Sequence, residues 1–406
     1  MRMILAAAAM IAPAAPALAQ SAALPPPAKP DRPAIRPIVD LRLREEFVDQ
    51  KDLPKNAQAL TVRARIGVEA DLTETFHALV EAEGIGHLTD SFNDTLNGKT
   101  QYPLVSDPES LEINRAQLSW TGLPDSEVIL GRQRLVFGNA RFIGDAGWRD
   151  NQQTFDAVTV VNGSLRNVKL TYAYFNEIDR VLGENSPQGR WRSDSHALQA
   201  VIKTPLGQFS GYAFLLDILS QPAQSSKTFG ARLAGAQPIG SGLKATCVAE
   251  YARQSDYGSN PSHFNLDYAV LEAGVEHGAT TLSAGLERLG GDGRNGFLTP
   301  LSSAYGFQGW SDAIVAAPRD GVLDLHVKAA AHWTGAPVGD GLHFLAAAYR
   351  FTNPRDGTLY GNELDAGVAT ALTPNVTLDV RAAVFDGNNP AFASRTKLWL
   401  TAEFHY

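Results

Sequence analysis

The chain predicts an all-β fold, a transmembrane antiparallel β-barrel of about 18 strands behind a signal peptide. Three observations carry that reading. Segments of about 10–13 residues that alternate apolar and polar recur along the chain. No run of about 18 apolar residues follows the signal, so a helical membrane protein is excluded. The connections between segments alternate between tight turns and long polar loops.

Residues 1–19 read as the signal peptide, with Arg2 as the charged start, an apolar run over residues 4–11, and Ala17, Leu18 and Ala19 at the cleavage site. Pro13 and Pro16 interrupt what would otherwise be an anchoring helix. Residues 20–37, with prolines at 25–27, 30, 33 and 37, are an extended periplasmic lead-in, and 38–406 form the barrel channel. No change of composition marks a further boundary.

The segments lie near 38–48, 59–71, 74–85, 111–121, 127–137, 153–162, 167–177, 195–204, 208–218, 228–237, 243–253, 266–276, 280–289, 322–333, 342–352, 362–372, 376–386 and 395–406. Each is long enough to cross the hydrocarbon layer as a tilted strand, which takes roughly 9–11 residues. In the second, Leu60, Val62, Ala64, Ile66 and Val68 share one face, and Thr61, Arg63, Arg65, Gly67 and Glu69 the other. The last sets Leu398, Leu400, Ala402, Phe404 and Tyr406 against Lys397, Trp399, Thr401, Glu403 and His405, and so ends the chain on an aromatic.

Tight turns fall at 71–73, 123–126, 163–166, 205–207, 238–242, 278–279 and 373–375, and are rich in Gly, Pro, Asn and Asp. Longer connections fall at 86–110, 138–152, 178–194, 254–265 and 290–321. Short turns at one end and long loops at the other is the asymmetry of a bacterial outer-membrane barrel. An even strand count puts both termini in the periplasm, and this width admits an aqueous channel.

The formal charge of −8 gives no basic excess for nucleic acid. Cys247 is the only cysteine, which rules out an intramolecular disulfide framework and a multi-cysteine metal site. No enzyme, cofactor or metal site is expected. Asp194, Ser195 and His196 are strand neighbours pointing to opposite faces, so Ser195 and His196 do not form a nucleophile–base pair. Gly291, Gly293 and Gly296 match a dinucleotide fingerprint in letters, but no apolar helix follows. His326 and His332 share a face about 20 Å apart, too far for one metal.

Residues 131–156 carry Gly131-Arg132-Gln133, Gly138 followed by Arg141, the Trp148-Arg149 pair and Phe155-Asp156. Residues 297–324 carry Thr299-Pro300-Leu301, an aromatic stretch to Gly309-Trp310 with Asp312, and a Gly321–Asp324 strand start. Both stretches resemble the alginate-export family of outer-membrane porins. The resemblance implies an 18-stranded barrel that exports an anionic polyuronate through an arginine-rich constriction. Arg132, Arg141 and Arg149 match its basic positions, and Asp312 matches the acidic position of its long loop.

Read from the residues, Arg42, Arg44, Arg63, Arg65, Arg115, Arg132 and Arg134 are pore-lining candidates, and Arg141 and Arg149 join them through the resemblance. Guanidinium groups compensate a carboxylated solute that loses water in a narrow pore. The same arginines also suit a structural ladder against Glu46, Glu69, Glu81 and Glu83 along the wall. Loop 290–321, with Phe297, Tyr305 and Trp310, is the expected constriction loop, folded into the barrel.

The expected function is an outer-membrane porin-like channel for anionic or sugar-like solutes, with export of a polysaccharide such as alginate as its family-specific form. The alternatives are a barrel enzyme acting on lipid or polysaccharide and a non-conducting receptor or structural barrel. Expected partners are outer-membrane lipid, the solute, and periplasmic secretion proteins.

Overall fold

The computed structural model describes residues 35–406. The signal peptide and the lead-in up to residue 34 lie outside the described residues. Eighteen strands form one antiparallel sheet that closes on itself. They are β1 (Ile35–Gln50), β2 (Ala57–Asp71), β3 (Phe76–His87), β4 (Ser110–Trp120), β5 (Ser126–Gln133), β6 (Thr154–Asn162), β7 (Val168–Asp179), β8 (Arg190–Thr204) and β9 (Gly207–Leu216). The second half comprises β10 (Ser226–Gly240), β11 (Leu243–Asp256), β12 (Asn265–His277), β13 (Thr280–Leu289), β14 (Val322–Trp333), β15 (Leu342–Thr352), β16 (Leu359–Thr373), β17 (Val376–Gly387) and β18 (Arg395–His405).

Each strand pairs with its chain neighbours, and β1 closes the ring on β18 with Leu43 opposite Ala402 and Glu46 opposite Trp399. The terminal Tyr406 N–H donates to the Val39 carbonyl at 2.8 Å, and the Val39 N–H returns a bond to Tyr406 O at 3.0 Å. Closure leaves no free edge, which a sheet in hydrocarbon requires.

Burial runs opposite to that of a water-soluble protein. Leu111 is 74% exposed and Leu364 64%, whereas Arg63 and Glu83 are fully buried. The alternation therefore turns its apolar set outward to lipid and its charged set inward. At the end carrying the short turns, Phe76 and Trp120 pack across β3 and β4 with ring centroids 6.5 Å apart. With Trp333 and Tyr406, both exposed, they form the aromatic girdle of one membrane interface.

Several boundaries differ from the sequence expectation for physical reasons. β1 starts at Ile35, inside the expected lead-in, because Ile35 already pairs with Ala70 of β2. β5 stops at Gln133 rather than 137, since Leu135 and Phe137 join the apolar core inside the barrel. β8 starts at Arg190 because Arg190–Asp194 are mostly polar on both faces, which erases the periodic signal. One connection on the short-turn end is long, residues 334–341 between β14 and β15.

The interior has two unlike halves. Phe142, Phe155, Phe175, Phe214, Tyr268, Phe297 and Phe351 belong to one buried aromatic core, which the expectation of a polar interior did not include. The opposite half, on β1–β3 and β16–β18, is charged.

Leu43, outward on β1, is predicted to tolerate charge poorly. The substitution Leu43→Arg should cost about 2–4 kcal/mol near the bilayer midplane. Urea unfolding in lipid vesicles reads the cost, and an unchanged midpoint would place this face away from lipid.

Candidate functional site

Alternation along β1 and β2 points Arg42, Arg44 and Glu46, then Thr61, Arg63 and Arg65, into the barrel. The register sets Arg42 directly opposite Arg63. Two guanidinium groups in that position repel each other unless anions intervene. Glu403 accepts from Arg42, Asp40 from Arg63 and Glu83 from Arg65. The remaining compensation comes from a loop.

Loop 134–153 turns into the lumen and lies against this wall. Arg42 donates to the carbonyls of Gly147, Trp148 and Arg149 at 3.2, 3.0 and 3.3 Å. Arg44 donates to Trp148 O at 2.5 Å, and Arg65 to Asp150 O at 3.2 Å. Asp150 takes the Thr61 hydroxyl at 2.6 Å, while its own N–H reaches Asp107 of loop 88–109 at 2.8 Å. Further along, the Gln152 N–H donates to Glu83 at 3.0 Å. Ala146 sits at φ 49°, a left-handed conformation that a residue with a Cβ rarely adopts. The arginine contacts hold the strained turn in place.

Loop 290–321 enters from the other side. The backbone N–H groups of Trp310 and Ser311 donate to Glu363 of β16 at 2.6 and 2.8 Å, and Trp310 N–H also reaches Asp365 at 3.1 Å. Gly309 is required there, because its φ is +77° and a Cβ would fall 2.3 Å from Glu363 Oε1.

Asp312 joins the two loops. Its carboxylate takes Arg149 at 2.5 Å and Lys397 of β18 at 2.9 Å, and its carbonyl takes Arg395 at 3.1 Å. Lys397 also pairs with Glu46 at 3.0 Å. Burial pushes the Asp312 carboxyl up, but Lys397 and Arg149 prevail and hold it down at about 2. Burial likewise raises Asp107, and the nearby Asp150 carboxylate adds to that rise. Asp150 itself is kept low against its burial by Arg44, Arg42 and Arg63.

Where the loops meet, Trp148 stacks on Tyr305 with centroids 3.8 Å apart and planes at 8°. Trp310 continues the stack beyond Tyr305 at 6.2 Å, and Trp399 closes edge-on against Trp148 at 5.8 Å. The Arg44 guanidinium lies 4.1 Å and the Arg381 guanidinium 4.7 Å from the Trp148 ring centre. Arg381 also donates to the Tyr305 hydroxyl at 3.3 Å. Among the described residues no carboxylate reaches Arg44 within salt-bridge distance, and Arg63 keeps two guanidinium nitrogens without a hydrogen-bond partner.

The expected site residues divide accordingly. Arg42, Arg44, Arg63, Arg65 and Arg149 gather at the junction of loop and wall. Arg141 is buried on the aromatic side, bonded to Glu287 at 2.7 Å and Gln308 at 2.9 Å. A bulge in β3 and β4 lets Arg115 reach Glu81 at 2.6 Å beside Asn114. Arg132 shares the outward face with exposed Leu130, while Gln133 and Phe155 turn inward, so it pairs with Asp156 at the wall instead of lining the lumen. Arg134 lies just past β5, half-exposed, and donates to Asp145 at 2.8 Å.

Of the constriction-loop residues, Tyr305, Trp310 and Asp312 reach the junction, whereas Phe297 packs in the aromatic core against Phe142 and Tyr268. Sequence reading missed Trp148, Arg381 and Asp150 as partners. Trp148-Arg149 was visible as a motif, but only the inward course of loop 134–153 brings it under Arg44.

No family model matches the chain, and no curated protein does. Solved structures match it in fold. OccAB3 of Acinetobacter baumannii is 13% identical with a TM-score of 0.69, over 91% of this chain and 99% of that one. OpdK of Pseudomonas aeruginosa, in a structure with vanillate, is 14% identical with a TM-score of 0.70, over 91% and 98%. OccK2 (OpdF) of Pseudomonas aeruginosa, in complex with glucuronate, is 12% identical with a TM-score of 0.67, over 91% and 98%. The barrel thus resembles outer-membrane channels of the OprD/Occ type, and at these identities the likeness is one of fold. None of these comparisons shows the alginate-export family.

Asp312→Asn should leave Arg149 and Lys397 short of a counter-charge and destabilise the loops by on the order of 3 kcal/mol. Limited proteolysis within 290–321 should accelerate, and an unchanged cleavage rate would show that the aromatic stack suffices. Because the Asp312 carboxyl lies below the ordinary value of about 3.9, its contribution is complete above that pH and disappears as pH falls through about 2. Proteolysis by an acid-active protease should therefore accelerate below about pH 4 in the native chain, with a smaller acid response in Asp312→Asn.

Proposed function

We propose that the chain is a passive outer-membrane channel for small anionic solutes, with a carboxylate on a ring as the best-fitting class. The observation that carries this is Arg44, a buried cation without a carboxylate partner among the described residues, lying on Trp148 in the Trp148–Tyr305 stack. Arg381 flanks the same ring. Trp148 and Tyr305 cover each other's faces but stay half-buried, so an aromatic or sugar ring meets their edges there and its carboxylate finds guanidinium nearby. Most other guanidinium groups in the lumen are already neutralised, so they shape the wall and the field is focused at few points. Fixed but weak contacts are what conduction needs, since tight binding would stop transport. Structures of two channels of this fold, holding vanillate and glucuronate, support the solute class.

In this reading the long loops face outward, and the short turns and both chain ends face the periplasm. Polyuronate export is the second reading. It is favoured by the two motif segments, of which Arg149 and Asp312 meet between the loops while Arg141 bonds Gln308 of the long loop. Passage of a polymer would require the Arg149–Asp312 link to open, whereas a single ring needs less room.

In planar bilayers the refolded protein should be anion-selective, and Arg44→Gln with Arg381→Gln should lower the anion-to-cation permeability ratio by roughly threefold. An unchanged reversal potential would remove these two residues from solute guidance. Block of the current by oligouronates, absent with glucuronate alone, would favour export of the polymer.

A further inference from the structure

We propose that His332, His343 and Asp340 form a binding site for a divalent transition-metal ion of the Zn2+ class at the short-turn mouth of the barrel. The proposal does not depend on the solute or on conduction.

His332 near the end of β14 and His343 near the start of β15 are directly opposite partners in the register. On β14 the inward set is Asp324, His326 and Lys328, and His332 continues it at even spacing. On β15 Tyr349 and Phe351 are inward, and His343 has the same parity. Both imidazoles therefore stand on the lumen side. Their rings stack 3.9 Å apart at 9°. The backbone has already fixed their separation, and tilting the two rings out of the stack turns their in-plane lone pairs toward one point.

The third donor comes from the long connection 334–341. Asp340 Oδ2 lies 2.9 Å from His343 Nε2, and the Asp340 carbonyl lies 3.0 Å from His332 Nε2. One donor atom from each of the three side chains falls within 4.8 Å of the others. Tetrahedral zinc with nitrogen and oxygen ligands at about 2.0–2.2 Å places those atoms roughly 3.3–3.5 Å apart. Small side-chain rotations close the difference.

Asp340 is held ready for that role. Its N–H donates to the Ala371 carbonyl at 3.0 Å, and its Oδ1 accepts from the Ala371 N–H at 2.9 Å. Both bonds dock the turn on β16 and leave Oδ2 turned toward His343. Gly339 makes this docking possible, since its φ is +55° and a Cβ would sit 2.2 Å from the Ala371 carbonyl. An orienting bond on the second oxygen of a ligating carboxylate is the usual outer support of a metal ligand.

Donor chemistry sets the ion class. Two imidazoles and one carboxylate suit Zn2+, Ni2+ or Cu2+ and disfavour Mg2+ and Ca2+, which take oxygen. Three protein ligands leave a fourth position for water. Asp340 is exposed and both histidines are only half-buried, so the ion has a path from solvent. His326, the nearest histidine on the same face, is committed to Asp324 and Glu272 at 3.1 and 3.0 Å.

Calorimetric titration of ZnCl2 into the full chain, refolded in detergent, tests the proposal. One ion should bind per chain at micromolar affinity, and His332→Ala with His343→Ala should weaken it by at least ~10-fold. Heat-modifiable migration on gels checks that the variant barrel is folded. If it is not, Cu2+ loaded on the native chain gives a second measurement, in which electron paramagnetic resonance should show two coordinated nitrogens. Absence of stoichiometric binding, an affinity unchanged in the folded variant, or a copper spectrum without paired nitrogen coupling would each overturn it.

Discussion

Everything in this molecule follows from the need to pair each backbone amide where water is absent. A strand in hydrocarbon has nowhere to send an unmatched N–H or C=O, so the sheet must return to its own first strand. The β1–β18 seam supplies that return, and the Val39–Tyr406 bonds carry it to the last residue of the chain. Once the ring is closed, the pleat sorts side chains automatically into lipid and lumen sets. The interior then has to fill or hydrate a wide cylinder, and this chain fills much of it with its own loops.

Filling is achieved in two chemically different ways. On the side of β6–β15 the wall contributes Phe155, Phe175, Phe214, Tyr268 and Phe351, and the loops answer with Phe142 and Phe297. That is ordinary apolar packing transplanted into a barrel. On the side of β1–β3 and β16–β18, charged wall residues grip loop backbones. Arg42 and Arg44 take carbonyls from 147–149, and Glu363 takes amides from Trp310 and Ser311. Cations of the wall hold one loop by its acceptors, and an anion of the wall holds the other by its donors. The two loops are then linked by Arg149 and Asp312.

The barrel was almost wholly legible in the sequence, because lipid and lumen impose a strict period of two on long stretches. β13, β14 and β15 match the expected limits of 280–289, 322–333 and 342–352. Legibility failed where one face ceased to face lipid or the other ceased to face charge. Leu135 and Phe137 keep the period but belong to a loop core, and Arg190–Asp194 pair in a strand without displaying it. The site was legible only as a list of arginines. Their partners are tens or hundreds of positions away, as Arg42 is from Glu403 and Asp150, so no local pattern marks them. Arg132 shows the converse error: read from the residues as a lumen-facing arginine, it stands on the outward face of its strand with Leu130. His332 and His343 were invisible as a pair because sequence alone does not reveal which residues a hairpin sets opposite each other.

The facing guanidinium groups of Arg42 and Arg63 make the wall and the loop chemically inseparable. Excising loop 134–153 to widen the bore would also strip away Asp150 and the three carbonyls, leaving Arg42 and Arg63 with Glu403 and Asp40 as their counter-charges in a space newly opened to water. Such a truncated barrel would report the behaviour of an altered electrostatic surface as much as that of a larger hole, so dimension and charge in this protein have to be varied by point changes.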